Sequence, residues 1–228
     1  EGAMAVVVDD PEVVEDEKYF LVDDVLTALQ QLATHHRKQL SLPVIGLTGS
    51  NGKTTTKELL IRALSCKFKV QATLGNLNNH IGVPLTLLGL KEETEIAIVE
   101  MGANKQGDID ELCRIALPTH GLITNIGRAH LEGMGGTEGV LKTKTELFQF
   151  LLETDGQVFI NSGQEIFTNM IRRFKNPVLF PGKADFCQVT FLGASPNVSF
   201  SLPREETSYV SNLIGHYNSS SPLFGQVF

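Results

Sequence analysis

The sequence predicts an α/β fold in which a mostly parallel sheet carries helices on both faces, with a small strand-rich extension near the C-terminus. Segments of strand length alternate with segments of helical period through the middle of the chain, which is typical of βαβ units. Two strand segments, 44–48 and 95–99, consist mostly of apolar residues, as expected for strands buried on both faces. From Phe186 to Leu202 the pattern becomes rich in strands and poor in helices, which indicates an antiparallel extension.

The N-terminal part contains two short strands and a helix. The strands are predicted at 5–8 and 19–22, and helical spacing of apolar residues begins after Asp23. Either Asp23 or Asp24 can cap this helix, because a carboxylate accepts hydrogen bonds from the first free backbone N–H groups. We interpret the basic end of the helix, residues 35–37, as exposed to solvent.

Two domains are expected. Two strands and one helix bury too little surface to fold alone, so residues 1–40 are interpreted as the end of a preceding domain. Residues 42–228 form the second domain. Its strands are predicted at 44–48, 67–72, 95–99, 120–125, 156–161 and 178–180. Its helices are predicted at 54–66, 85–90, 107–116, 137–152 and 165–174.

Composition narrows the class of protein. At 228 residues, 42% hydrophobic and 20% charged, the chain is an ordinary globular sequence with one sizeable core. The net charge of −7 argues against a general nucleic-acid or membrane-surface binder. Three isolated cysteines suggest neither a disulfide framework nor a zinc site, and we interpret them as core thiols of a reducing compartment. No apolar run approaches the ~18 residues that span a membrane, so we expect a cytoplasmic protein without membrane insertion.

A glycine-rich turn between the strand 44–48 and the next helix predicts a phosphate-binding loop. Glycines allow the backbone to approach phosphates, and the helix N-terminus attracts negative charge. Lys53 would reach the outer phosphates of a nucleotide and Thr54 would hold Mg²⁺. A purely structural turn is the alternative, but it does not explain why Lys-Thr stands at the helix start. The candidate nucleotide-binding residues are Thr48, Gly49, Ser50, Asn51, Gly52, Lys53, Thr54 and Thr55.

Other polar residues follow predicted strands, where ligands of open α/β sheets bind. Glu100 closes the strand 95–99 and is a suitable oxygen ligand for Mg²⁺, although a surface carboxylate is the alternative. His130 follows the strand 120–125 and is either a ligand of a second metal or a structural histidine. An amide-rich loop, residues 75–84, follows the strand 67–72. We therefore expect a composite site at this edge of the sheet.

The long helix 137–152 carries two lysines, Lys142 and Lys144. Taken from the residues alone, Lys142 and Lys144 lie on a solvated helix face. The residues by themselves give no reason to place either lysine in a site.

Four ordered segments resemble the Mur ligases, the ATP-dependent enzymes of peptidoglycan precursor synthesis. They are 48–55, 75–84, 100–104 and 129–133. The family has a UDP-substrate domain, a central ATPase domain and a C-terminal amino-substrate domain. The resemblance implies that residues 1–40 end the first domain, that 42–228 are most of the second, and that the third is absent.

The resemblance also implies roles for individual residues. Lys53 would neutralise the transferred phosphoryl group, Thr54 and Glu100 would bind a first Mg²⁺, and His130 a second. Family members carry a carbamylated lysine four residues before an aromatic residue on this helix. Lys144, four before Phe148, fits that position and would become an anionic metal ligand, whereas Lys142 does not fit. Asn78 and Asn79 match positions that line the side of the UDP-substrate.

The implied activity is ATP-dependent formation of an amide bond through an acyl phosphate. Within the family, the motifs are most similar to members that join D-Ala-D-Ala to a UDP-MurNAc-tripeptide, with ATP and Mg²⁺. We expect these small-molecule partners, a monomer, and no ligation by the 228-residue chain alone. The alternatives are a related ligase with a different amino substrate and an ATP-binding module without ligase activity.

Overall fold

The computed structural model describes residues 2–127, 136–182, 184–202 and 207–214, of which 212–214 by their backbone alone. Strands β1 and β2 form a small parallel pair, and the next six strands form a parallel sheet in the order β4-β5-β3-β6-β7-β8. The strands are β1 (Val6–Val8), β2 (Tyr19–Leu21), β3 (Val44–Thr48), β4 (Val70–Ala72), β5 (Ile96–Glu100), β6 (His120–Ile123), β7 (Gln157–Asn161) and β8 (Val178–Phe180).

Helices connect the strands of the large sheet and cover both of its faces. They are α1 (Val25–Gln39), α2 (Lys53–Leu64), α3 (Gly82–Leu88), α4 (Asp108–Ala116), α5 (Gly136–Glu153) and α6 (Thr168–Ile171). None of the helices in the described ranges is both long and apolar enough to cross a bilayer. The α/β architecture that the alternating pattern predicts is confirmed.

Alternation along the strands separates two hydrophobic clusters. On β5, Ala97 and Val99 pack with residues of α3, α4 and α5, while Ile96 and Ile98 point to the opposite face. That opposite face is covered by α2 through Leu60 and Leu64. Since both faces are covered, the strands of the middle of the sheet are mostly apolar, as their sequences indicate.

The strand order places three loops at one crevice. The chain leaves β3 for the edge strand β4, returns to β5 beside β3, and then crosses to β6 on the other side of β3. This reversal is the switch point at which doubly wound sheets bind ligands, outside the carboxyl ends of the strands. The loops after β3, β5 and β6 therefore converge there.

Helix α1 begins where the sequence predicts, but the exposure of its last turn differs from the prediction. Asp24 is the N-cap and accepts from the Thr27 N–H at 2.6 Å. The interpretation of Arg37 as exposed is wrong, because its guanidinium is buried and donates to the carbonyls of Leu40, Ala116 and Leu117. Helix α1 packs on α3 and α4. The assignment of residues 1–40 to a preceding domain stays a prediction.

The expected C-terminal extension is an antiparallel sheet. Its strands follow the order β11-β10-β9, with β9 (Thr190–Ala194), β10 (Asn197–Leu202) and β11 (Thr207–Ile214). Phe200 and Leu202 on β10 belong to the same hydrophobic cluster as Phe159 and Phe180 of the large sheet. The small sheet thus shares the core on the α2 side.

Two local predictions need correction. Residues 165–174 form a 3₁₀ turn, Glu165–Phe167, that runs into the short helix α6, with no side-chain cap at either start. Phe167 is fully buried against Phe148, so tertiary packing decides the shape of this segment rather than helix propensity. Of the cysteines, Cys113 is buried but Cys66 is exposed, because it lies just beyond the last turn of α2.

Candidate functional site

The phosphate loop is tied to the end of β6 by the residue Asn125. The Asn125 carbonyl accepts from the Ser50 N–H at 3.0 Å, and its side-chain oxygen accepts from the Asn51 N–H at 3.1 Å. The Asn51 carbonyl accepts from Asn125 Nδ2 at 3.0 Å and from Thr124 Oγ1 at 2.6 Å. The loop backbone is therefore fixed by protein contacts, and two of its amides are already used.

Close packing at the start of the loop explains the first glycine. Gly49 has φ +144°, and a Cβ atom there would collide with the Thr124 hydroxyl. Beside it, the buried Thr48 donates from Oγ1 to the Met101 carbonyl at 2.8 Å, which joins the ends of β3 and β5. No larger residue at position 49 would leave this geometry unchanged.

The loop ends at the first turn of α2, where a phosphate group would meet free N–H donors. Gly52 is the N-cap, with φ +76°, and Lys53, Thr54 and Thr55 form the first turn. A helix leaves the N–H groups of its first turn without intrahelical partners, and its dipole favours an anion there.

Lys53 lies over the loop. Its ammonium donates to the Gly49 carbonyl at 2.9 Å. Burial lowers the pKa of Lys53, and the nearby carboxylate of Glu100 raises it in part. The loop thus keeps a cation close to the Thr54–Glu100 pair.

Thr54 and Glu100 bring two hard oxygen atoms together. Thr54 Oγ1 lies 3.1 Å from Glu100 Oε2, and Asn78 Nδ2 donates to Glu100 Oε1 at 2.8 Å. Glu100 is 1% exposed, so its alternative interpretation as a surface carboxylate is wrong. No group of three His, Cys, Asp or Glu side chains that could hold a metal occurs within the described ranges. One carboxylate and one hydroxyl fit Mg²⁺, which is usually held by few protein ligands together with nucleotide phosphates and water.

Lys144 is buried, so the solvated-face interpretation of this lysine is wrong, whereas it holds for the exposed Lys142. Lys144 is 3% exposed on α5, on the same stripe as Val140, Leu147 and Leu151. Burial and the charge of Lys53 lower the pKa of Lys144 to about 8 from 10.5. The metal role that the resemblance implies for Lys144 stays a prediction.

The remaining predicted residues are placed differently. Asn79 Oδ1 accepts from the N–H groups of Ile81 and Gly82, at 3.1 and 2.9 Å, and so stabilises the start of α3. Asn78 packs against Gly102, where a Cβ atom would lie 2.7 Å from Asn78 Oδ1. His130 lies outside the described residues. The substrate role of Asn78 and Asn79 and the metal role of His130 stay predictions.

Residues 47–224 match the family model of the Mur ligase middle domain. The chain belongs to the Mur ligase family. Over 146 residues it is 48% identical to the UDP-N-acetylmuramoyl-tripeptide–D-alanyl-D-alanine ligase of Bacillus subtilis, a match that covers 64% of this chain and 32% of that protein.

Solved structures extend this Mur ligase relationship along the whole chain. A crystal structure of MurF from Acinetobacter baumannii is 34% identical with a TM-score of 0.84, covering 100% of this chain and 50% of that one. MurF from Thermotoga maritima, solved in complex with ADP, is 30% identical with a TM-score of 0.82, and the match covers 98% of this chain and 52% of that one. The matched parts of this chain cover 32% to 52% of the length of these relatives.

One residue of this Mur ligase site was missed in the sequence. Lys57 is fully buried, donates to the carbonyls of Thr73 and Gly75, and lies 3.8 Å from Glu100 Oε2. A signal was available, because Lys57 has helical spacing with the buried Leu60 and Leu64. A lysine on an apolar stripe indicates a buried partner, and Glu100 is that partner.

Proposed function

We propose that this chain is the ATP-binding part of a ligase that joins D-Ala-D-Ala to a UDP-MurNAc-tripeptide. The observation that carries the proposal is the Thr54–Glu100 pair beside the phosphate loop, in a chain 48% identical to a ligase of that name. The tripeptide carboxylate attacks the γ-phosphate of ATP, which gives an acyl phosphate and ADP. The D-Ala-D-Ala amine then attacks the acyl carbon, loses a proton, and displaces inorganic phosphate.

The residues of the loop supply position and charge for the first step. The N–H groups of Lys53, Thr54 and Thr55, at the start of α2, and the Lys53 ammonium would stabilise the negative charge of the transferred group. Thr54 and Glu100, whose oxygen atoms lie 3.1 Å apart, would hold a Mg²⁺ ion, which would supply further positive charge to the phosphates. Thr48 to Gly52 fix the shape of the loop through the ends of β5 and β6.

Lys144 is proposed to carry a carbamate. A pKa near 8 leaves roughly one tenth of the amine neutral at pH 7, and the neutral amine is the form that reacts with CO₂. The carbamate would replace a cation with an oxygen ligand for a second Mg²⁺, which His130 would also bind. Incubation with ¹³C-bicarbonate should give one carbamate signal in the ¹³C NMR spectrum, lost in Lys144→Arg and kept in Lys142→Arg. A signal unchanged in Lys144→Arg would reject the assignment.

A substrate panel on the full-length protein tests the ligase proposal. With ATP, Mg²⁺ and the UDP-tripeptide, phosphate release and amide product should appear when D-Ala-D-Ala is supplied, and Lys53→Ala should abolish both. Product with another amine and none with D-Ala-D-Ala would indicate a related ligase. ATP binding without phosphate release in the presence of the tripeptide would indicate a module without ligase activity.

The 228-residue chain alone is proposed to be inactive, because the relatives it matches are about twice as long. In the same panel it should bind ADP and form no amide. We also propose that the protein is a cytoplasmic monomer. We propose that it binds no nucleic acid, and its net charge of −7 supports this last point. Light scattering coupled to size exclusion tests the monomer, and appreciable turnover by this chain would overturn its proposed inactivity.

A further inference from the structure

The charges around Glu100 do not favour a free divalent cation. Lys57 has no solvent exposure, and its ammonium lies 3.8 Å from Glu100 Oε2. The Lys53 ammonium is a second cation of this site, where it donates to the Gly49 carbonyl at 2.9 Å. Glu58 also lies 3.6 Å from the Lys57 ammonium, but its side chain is 57% exposed, and water screens its charge.

The position of Lys57 is fixed by neutral acceptors and not by the carboxylate alone. Its ammonium donates to the Thr73 carbonyl at 2.8 Å and to the Gly75 carbonyl at 3.0 Å. These carbonyls belong to the chain that leaves β4, and the Thr73 hydroxyl in turn accepts from the Glu100 N–H at 2.9 Å. The cation is therefore held in place whether or not a metal is bound to Glu100.

We propose that Lys57 is the permanent counter-cation of Glu100 and makes metal binding at Thr54 and Glu100 conditional on the nucleotide. Without phosphates, the Glu100 carboxylate already has the Lys57 ammonium beside it, the Lys53 ammonium lies over the neighbouring loop, and a divalent ion meets net repulsion. With a bound nucleoside diphosphate or triphosphate, the phosphate charges reverse the balance and the ion enters with the nucleotide. This inference rests on the metal role that is proposed above for Thr54 and Glu100.

Electron paramagnetic resonance of Mn²⁺, used in place of Mg²⁺, measures the free ion directly. The wild-type chain should bind Mn²⁺ weakly alone and at least tenfold more tightly with ADP. Lys57→Met should bind Mn²⁺ alone about tenfold or more tightly than the wild type, because one repulsive charge is removed. Arg62→Met, which removes an exposed charge on the same helix, should behave as the wild type.

The outcomes separate this inference from the metal role itself. Equal Mn²⁺ affinity in Lys57→Met and Arg62→Met would overturn the inference, as would tight Mn²⁺ binding by the wild type without ADP. If Lys57→Met is unfolded by circular dichroism, Lys57→Gln, which also removes the charge, takes its place in the comparison with Arg62→Met. Glu100→Gln should weaken Mn²⁺ binding in the presence of ADP. If Glu100→Gln has no effect, the metal role of Glu100 fails, which is a different result from a failure at Lys57.

Discussion

Asn78 joins the amide-rich loop to the end of β5 by donating a 2.8 Å hydrogen bond from Nδ2 to Glu100 Oε1. The Asn78 carbonyl also accepts from the Gly102 N–H at 2.7 Å. Asn78 is therefore fixed by two hydrogen bonds, one to the side chain of Glu100 and one to the backbone two residues further along the chain. A loop proposed to contact one substrate is thereby linked to the carboxylate proposed to serve the nucleotide metal.

Asn78→Ala removes a partner from a buried carboxylate. We expect the free energy of unfolding in urea to fall by about 1–3 kcal/mol. Asn76→Ala is the matched control, an exposed amide of the same loop, and should change the free energy by less than about 0.5 kcal/mol. If the two variants are equally stable, the bond between Asn78 and Glu100 contributes nothing measurable.

Gly49→Ala introduces a Cβ atom where the Thr124 hydroxyl lies, at a backbone φ of +144°. Strained backbone costs ~1–3 kcal/mol and overpacking a similar amount, so both stability and ADP binding should fall. Gly193→Ala is the control, because a Cβ there meets its nearest neighbour at 3.7 Å. Calorimetric unfolding and ADP titration measure the two effects. Wild-type stability and affinity in Gly49→Ala would show that Thr124 can move aside.

Lys144 should make stability depend on pH in the alkaline range. Its pKa is about 8 in the folded protein, lowered from 10.5, so the unfolded chain binds more protons between these values. The free energy of unfolding of the wild type, minus that of Lys144→Met, should therefore rise between pH 8 and 10.5 by up to about 3 kcal/mol. The cost of the buried charge is fully present below pH 8.

The Lys144 measurement needs urea unfolding in buffers free of CO₂, because a carbamate would remove the titrating amine. The difference between the wild type and the variant cancels groups that titrate in both. Lys142→Met, at an exposed position two residues away, should follow the wild type at every pH. A constant difference between wild type and Lys144→Met across this range would contradict the lowered pKa.

Arg37→Met should leave one buried and two partly buried carbonyls without their donor. Arg37 donates to Leu40, Ala116 and Leu117 and so joins the end of α1 to the end of α4. We expect a loss of about 2–5 kcal/mol in the free energy of unfolding. Lys38→Met, the exposed neighbour, should have little effect. Similar losses in both variants would indicate a general charge effect instead.

Sequence predicts best where a single local rule decides the structure. The Asp24 cap follows from capping chemistry, and Glu100 follows from its place after an apolar strand. The residue patterns by themselves missed the buried cations, because each looks like part of a polar helix face until its neighbours are known, and only the family resemblance singled out Lys144. Arg37 has helical spacing with the buried Ala33, and Lys144 with Val140 and Leu147. Their partners come from distant parts of the chain, which a pattern within one helix does not reveal.

Asn125 decides how the phosphate loop behaves before any ligand arrives. Asn125 accepts hydrogen bonds from the amides of Ser50 and Asn51 and so orders the loop in the ligand-free protein. The loss of conformational entropy in the loop therefore occurs during folding and not during nucleotide binding. Those two amides should exchange slowly with solvent deuterium even in the ligand-free protein. A nucleotide then meets a surface that does not have to reorganise, so its association is limited by encounter rather than by loop closure.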